Sequence, residues 1–229
     1  MADIAAGGMQ AAMAIMAALI GRGNTGEGRY LDVSIVDGVV AMMSLYVDEY
    51  LVTGTEPGPG HNVLTGRYAW YGIYRCADDG WISVGAIEPR FYANLLRELD
   101  LDSERFGSAQ YEDEAQDDLR AAMTKVFATR SRGDWAGQLG DADCCVAPVM
   151  TIPEMTIDPH VEARGLVGRA VHPTDGDLAQ LDRIWAGTVR RDAPESLPDT
   201  SSTDTAELLA DAGWTGTEIT AAIAEGAAA

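Results

Sequence analysis

Val84-Gly85-Ala86-Ile87-Glu88-Pro89-Arg90-Phe91-Tyr92 decides the reading of this chain. Proline is favoured at the first position of a helix, so a helix is expected from Pro89 to Leu99, with Glu88 as its N-cap. Glutamate is a poor N-cap; Asp, Asn, Ser and Thr are preferred. Its carboxylate is therefore held between two elements, either for a function or as a tolerated surface charge. Just upstream, Tyr68 to Val84 alternates in patches around Ala77-Asp78-Asp79-Gly80, which predicts a β-hairpin with an Asp-Gly turn.

Working outward, Asp113 to Thr129 reads as an amphipathic helix and Ser131 to Leu139 as another, with Trp135 inward. Cys145 to Val149 reads as a short buried strand. Ile152-Pro153-Glu154 opens the next segment, and Asp158-Pro159-His160 starts a helix or turn. Residues 168–203, rich in Asp, Pro, Thr and Ser, read as a loop-like return with weak strand signals. Two small helices close the sequence, the last with the capping box Thr215-x-x-Glu218. Upstream, Gly54 to Asn62, carrying Pro57-Gly58-Pro59-Gly60, reads as a loop and domain boundary. Val36 to Thr53 reads as helix; its Met42-Met43 pair suits core packing or a greasy pocket.

Gly21 to Gly28 contains G-x-G-x-x-G by the letter. The dinucleotide fingerprint needs a strand before it and a helix after it. Here a helix precedes and Tyr30 to Ile35 reads as the following strand, so nucleotide binding is not expected. Asp3 to Ile20 is a helix broken in its apolar character only by Gln10, so burial is expected. At this length it is read as too short for a membrane span, and Asp3 makes a poor signal-peptide start. Asp3 reads either as an N-cap or as a site carboxylate. Gly7-Gly8 costs about 1 kcal/mol each relative to Ala, which suggests that backbone or ligand approaches closely there.

The 229 residues carry 36 acidic and 16 basic side chains, a formal net charge of −20. Such a surface repels nucleic-acid phosphates and anionic membranes, so neither is expected as a partner. Lys125 is the sole lysine, and acid excess without lysine resembles the composition of proteins from salt-loving organisms. Cys76, Cys144 and Cys145, with His61, His160 and His172 far apart, give no metal spacing. The expectation is a reduced cytoplasmic protein without structural metal.

The stretches Asp3 to Met9, Gly26 to Ile35, Val84 to Tyr92 and Asp143 to Val149 with Asp158-Pro159-His160 resemble the family III CoA-transferases (CaiB/BaiF type), and most of all their α-methylacyl-CoA racemase branch. The resemblance runs over residues 1–170, and Leu197 to Gly226 resembles the family's closing helices. It implies an α/β fold: a Rossmann-like large domain, partial here (1–60 and the 168–229 return), around a small α+β domain (61–167), in an interlocked dimer. It implies a CoA thioester as substrate and no permanently bound cofactor. The activity implied is racemisation of a 2-methylacyl-CoA; the alternatives are CoA transfer between carboxylic acids, or a non-catalytic subunit docking with an N-terminal half. By motif, Asp3 matches the acid/base Asp and Glu88 the Glu that supports a catalytic His. Tyr71 matches an acyl-pocket aromatic, Met43 the methionine-lined acyl surface, and Gly7 and Gly8 the substrate-facing turn. The family's catalytic His lies upstream of the Asp3 segment, so the chain is expected to lack it and to be inactive alone. Thioester α-protons are weakly acidic, and racemisation needs a base on each face, which is why one carboxylate does not suffice.

Overall fold

The alternation around Asp79-Gly80 forms a hairpin. β1 (Tyr71–Arg75) pairs antiparallel with β2 (Trp81–Gly85), with Tyr71 opposite Gly85. Asp79 closes the turn at φ 62°, a left-handed conformation that Asp tolerates. β3 (Val146–Val149) adds antiparallel to the other side of β2, placing Ala147 opposite Ser83, in the order β1-β2-β3. Side chains alternate between the faces of a strand. Tyr74, Ile82 and Val84 are buried on one face, while Ile73 and Trp81 stay exposed on the other. β3 is half-exposed rather than buried, because its alternate residues lie on the open face.

The computed structural model describes residues 1–182, 194–199 and 203–228. They divide into two units, Met1–Val149 and Met150–Ala229. In the first, α4 (Pro89–Glu98) begins at Pro89 as expected and buries Tyr92, Leu95 and Leu96. After the short α5 (Ser103–Phe106), α6 (Asp113–Phe127) buries Leu119, Met123 and Phe127, and α7 (Arg132–Leu139) buries Trp135. Together with Trp70, Tyr74 and Ile82 these make one core between the helices and the sheet. Phe127 stacks on Tyr74 and meets Trp135 edge-on, with ring centroids 5.1 and 5.4 Å apart.

Residues 1–60 depart from expectation. Ala2–Met9 winds as a π-helix that runs into α1 (Gln10–Thr25), followed by α2 (Ile35–Met42) and α3 (Ser44–Thr53), which part at Met43. No residue of α1 is buried; Leu19 is 57% and Ile20 70% exposed. An apolar helix needs neighbours all round, and its contacts among the described residues are mainly with the π-helical turn. The continuous helix Ala2–Thr25 has 24 residues, not 18, and is long and apolar enough to cross a membrane by length and composition alone. The core helix of a soluble protein meets the same criteria. Residues 27–34 form no strand, because no described strand lies beside them to complete a ladder. Met42 and Met43 are exposed rather than core.

In the second unit, α8 (Ile152–Thr156) and α9 (Pro159–Ala163) are capped by Thr151 and Asp158. The segment expected to be loop-like instead forms β4 (Val167–His172) and β5 (Gly176–Leu181), antiparallel, with β6 (Glu195–Ser196) parallel to β4. The overlooked signal is Asp175-Gly176: Gly176 sits at φ 77°, and His172 Nδ1 accepts the Thr174 and Asp175 N–H groups. Residues 183–193 and 200–202, including Ile184 and Trp185, lie outside the described residues. α10 (Thr205–Asp211) and α11 (Gly216–Ala224) close the chain, with the expected Thr215–Glu218 capping box. The molecule is mixed α/β. Among the described residues, neither sheet is all-parallel.

Candidate active site

Glu88 leaves β2 in an extended conformation, φ −71° and ψ 140°, and caps α4 without any side-chain hydrogen bond. The helix is held instead by main chain, the Tyr92 N–H donating to the Glu88 carbonyl at 3.0 Å. Its carboxylate thus stands exposed and unused by the cap. The backbone before it is pinned. Gly85 N–H donates to the Cys145 carbonyl (2.9 Å) and Ala86 N–H to that of Trp70 (3.0 Å). The Ile87 carbonyl accepts from Gln110 Nε2 (2.8 Å) and from the Tyr111 hydroxyl (3.3 Å).

Gln110 is only 7% exposed and Gln116 only 4%. Gln116 Oε1 accepts the Ala69 N–H, and its Nε2 donates to the carbonyls of Ala109 and Gln110, while Trp70 Nε1 also donates to the Gln110 carbonyl at 2.7 Å. This buried knot fixes the position from which Glu88 projects. Sequence reading missed it, since a glutamine in a polar stretch looks like any solvated one until the fold buries it.

A cleft of about 540 Å³ opens on the exposed side of β1-β2-β3, lined by Tyr71, Ile73, Ser83, Cys145 and Ala147, with Leu64 and Gly66 as one wall. A Cβ built on Gly85 would lie 3.8 Å from the Tyr71 ring, so the ring packs across that glycine. Tyr71 thus stands opposite Gly85, three residues before Glu88 in the chain. Cys145 joins them at φ 50°. Burial pushes its thiol pKa up, and the Glu88 and Asp143 charges add to the shift while Arg90 opposes it. Arg90 pairs with Asp143 at 2.9 Å. The other half of the pair, Cys144, is buried, donates to the Leu139 carbonyl, and has its pKa pushed up to about 11 by burial.

Asp3 belongs to a different part of the unit. It is not an N-cap: Met1 holds that position, and its carbonyl accepts the Ala5 N–H at 2.8 Å. Asp3 sits exposed within the π-wound turn, a rare geometry that recurs at functional sites. The expected close approach is present, with its centre one residue off. A Cβ on Gly7 would meet Ile35 at 3.1 Å, but the tightest crossing is at Gly38, where a Cβ would fall 2.2 Å from the Ala6 carbonyl oxygen. Met43 lies at the α2–α3 break and does not line the cleft. Among the described residues, no hydrogen bond or ion pair joins Asp3 to Glu88, and no His, Cys, Asp and Glu cluster suits a metal.

A family model matches residues 1–197. The chain belongs to CoA-transferase family III. It is 33% identical over 165 residues to the α-methylacyl-CoA racemase of Homo sapiens, covering 72% of this chain and 43% of the racemase. It is 32% identical over 180 residues to the succinyl-CoA–D-citramalate CoA-transferase of Chloroflexus aurantiacus, covering 75% of this chain and 42% of that enzyme. The crystal structure of a point mutant of the Mycobacterium tuberculosis protein Rv3272 shares the fold: TM-score 0.67 at 18% identity, over 90% of this chain and 53% of that one. The chain spans about half the length of the curated relatives it matches.

Proposed function

We propose that this chain forms part of an acyl-CoA enzyme that racemises 2-methylacyl-CoA thioesters. The observation that carries this reading is Glu88, a carboxylate left unused at a helix entrance, whose charge reaches Cys145 in the lining of the Tyr71 cleft. The acyl group lies in the cleft against Tyr71, and the Gly7-Gly8 turn admits the substrate beside Asp3. A base removes the α-proton, and the C–H electron pair moves into the thioester as an enolate; protonation from the opposite face gives the other stereoisomer. Asp3 serves one face. None of His61, His160 or His172 has a side-chain hydrogen bond or ion pair with Glu88 among the described residues. We assign the second base to a histidine outside this chain, oriented by Glu88. The half of the relatives' length that the chain does not span is its source. That same half covers the apolar surface of α1. The odd cysteine count favours a cytoplasmic setting.

The 32% identity to a CoA-transferase supports a second reading, in which the same cleft takes the acyl group of a CoA donor. Incubation with a 2-methylacyl-CoA in deuterated water separates the two. Under the racemase reading the chain alone leaves the α-carbon unlabelled, and co-expression with an N-terminal half restores exchange. Asp3→Asn then lowers exchange by about 100-fold or more, the scale of general acid–base catalysis. Restored CoA transfer without exchange selects the second reading. Exchange at normal rates in Asp3→Asn removes Asp3 from the mechanism.

A further inference from the structure

The turn that walls the cleft is fastened to helix α3 by a polar cluster that neither the motifs nor the proposed chemistry uses. Glu49, on α3, receives His61 Nε2 on one carboxylate oxygen at 2.9 Å and Asn62 Nδ2 on the other at 3.5 Å. Asn62 Oδ1 in turn accepts the Leu64 N–H at 3.1 Å and caps the 3₁₀ turn Val63–Thr65, whose Thr65 hydroxyl accepts the Asn62 N–H at 2.8 Å. Leu64 and Gly66 of this turn line the cleft opposite Tyr71. Beyond it, Arg120 donates to the Gly66 carbonyl at 2.9 Å, and Arg67 pairs with Asp113, both from α6. The Glu49 side chain is 33% exposed and that of His61 18%, so the contact is partly withdrawn from water, where a charge-assisted bond is stronger.

We propose that Glu49, His61 and Asn62 form a clasp that carries the position of α3 into the wall of the Tyr71 cleft, and so sets which acyl groups the cleft accepts. The α6 side of the turn is anchored on the sheet core; the α3 side depends on this clasp. Glu49 acts as a positioning residue and does not touch substrate. The inference rests on the acyl-site reading for its ligand, but not for its geometry.

Two measurements on the 229-residue chain test it. Hydrogen exchange at residues 62–66 is compared between wild type and Glu49→Ala, a change that raises helix propensity and so is expected to leave α3 folded. Loss of a hydrogen bond to a charged group should speed exchange there about tenfold or more, with the core strands unchanged. Glu49→Gln, which keeps an acceptor, should restore part of the protection, and His61→Ala should repeat the loss. Unaltered exchange in both alanine variants overturns the clasp. Titration of the same proteins, each co-expressed with an N-terminal half, with free CoA and with a 2-methylacyl-CoA then tests its role. Glu49→Ala should weaken the thioester several-fold and leave free CoA unchanged. Equal weakening of both ligands, or of neither, overturns the assignment to acyl selection. Absence of acyl-CoA binding by the wild type would refute the acyl-site reading and with it acyl selection, while the exchange result still decides the clasp.

Discussion

Residues 61–149 and residues 1–60 are both rich in helix, yet they hold themselves together differently. In the first stretch, α4 and α6 each turn one apolar stripe inward, and that stripe is hidden under the sheet. In the second, α1 is apolar on every side and hides none of it. Only Ala6 and Gly38 are fully buried in residues 1–60, at the crossing of the π-wound turn with α2. A striped helix completes a core with one neighbour, whereas an all-round apolar helix needs several. The cleft and Glu88 lie on the self-sufficient stretch, and Asp3 lies on the other. That division is where a site shared between polypeptides would be expected to part.

The largest test of this contrast compares one truncation on each side. Phe127 is fully buried against Tyr74 and Trp135, so Phe127→Ala should cost about 3–5 kcal/mol. Leu19 on α1 is half-exposed, and Leu19→Ala should stay within about 0.5 kcal/mol in the chain alone. Urea melts followed by circular dichroism measure both. A loss at Leu19 comparable to that at Phe127 would mean that α1 is covered in solution, most simply by self-association, which light scattering would reveal.

A second substitution confines the damage to residues 1–60. Gly38 is buried, and any side chain there would strike the Ala6 carbonyl backbone at 2.2 Å, a contact that no rotamer relieves. Gly38→Ala should cost about 3 kcal/mol of the local crossing, at the upper end of ordinary overpacking. Hydrogen exchange should quicken through residues 2–42 while β1, β2 and α6 keep their protection. Spread of the effect into the sheet would show that the two stretches fold as one cooperative unit.

These positions also mark how far the sequence could be read. The hairpin, α4 starting at Pro89 and the Thr215 capping box follow from turn and cap chemistry that acts within a few residues, and all three are present. Tyr71 opposite Gly85, three residues ahead of Glu88, follows from the hairpin register once the Asp-Gly turn is placed. The Gln110–Gln116 knot reaches 47 positions back from Gln116 to Ala69, and the Glu49–His61 pair spans 12, with no periodicity to announce either. The strand expected at Tyr30 to Ile35 fails for the opposite reason. Its local propensity is sound, but a strand exists only with a neighbour to pair with. β4 and β5 turn at Asp175-Gly176, the same dipeptide that closes the first hairpin at Asp79-Gly80, within a stretch whose Asp, Pro, Thr and Ser content masks it.

The smallest test uses titration to ask whether the core of residues 61–149 behaves as a closed interior. Burial pushes Tyr74 up to about 12, and Cys144 up to about 11, from ordinary values near 10 and 9. Folding therefore favours the protonated forms. Below about pH 9 both states are protonated and this contribution is fully present. As pH rises from about 9 to 12 the unfolded chain loses these protons first, so stability falls; beyond about pH 12 the contribution is gone. For Tyr74 the loss is about 2 kcal/mol, after discounting for its residual contact with solvent. Urea midpoints at pH 8, 10 and 11.5 should decline in that order, and Tyr74→Phe, which cannot ionise, should decline less steeply between the last two. A flat profile would mean that water already reaches Tyr74, and the contrast between a closed stretch and an open one would lose its basis.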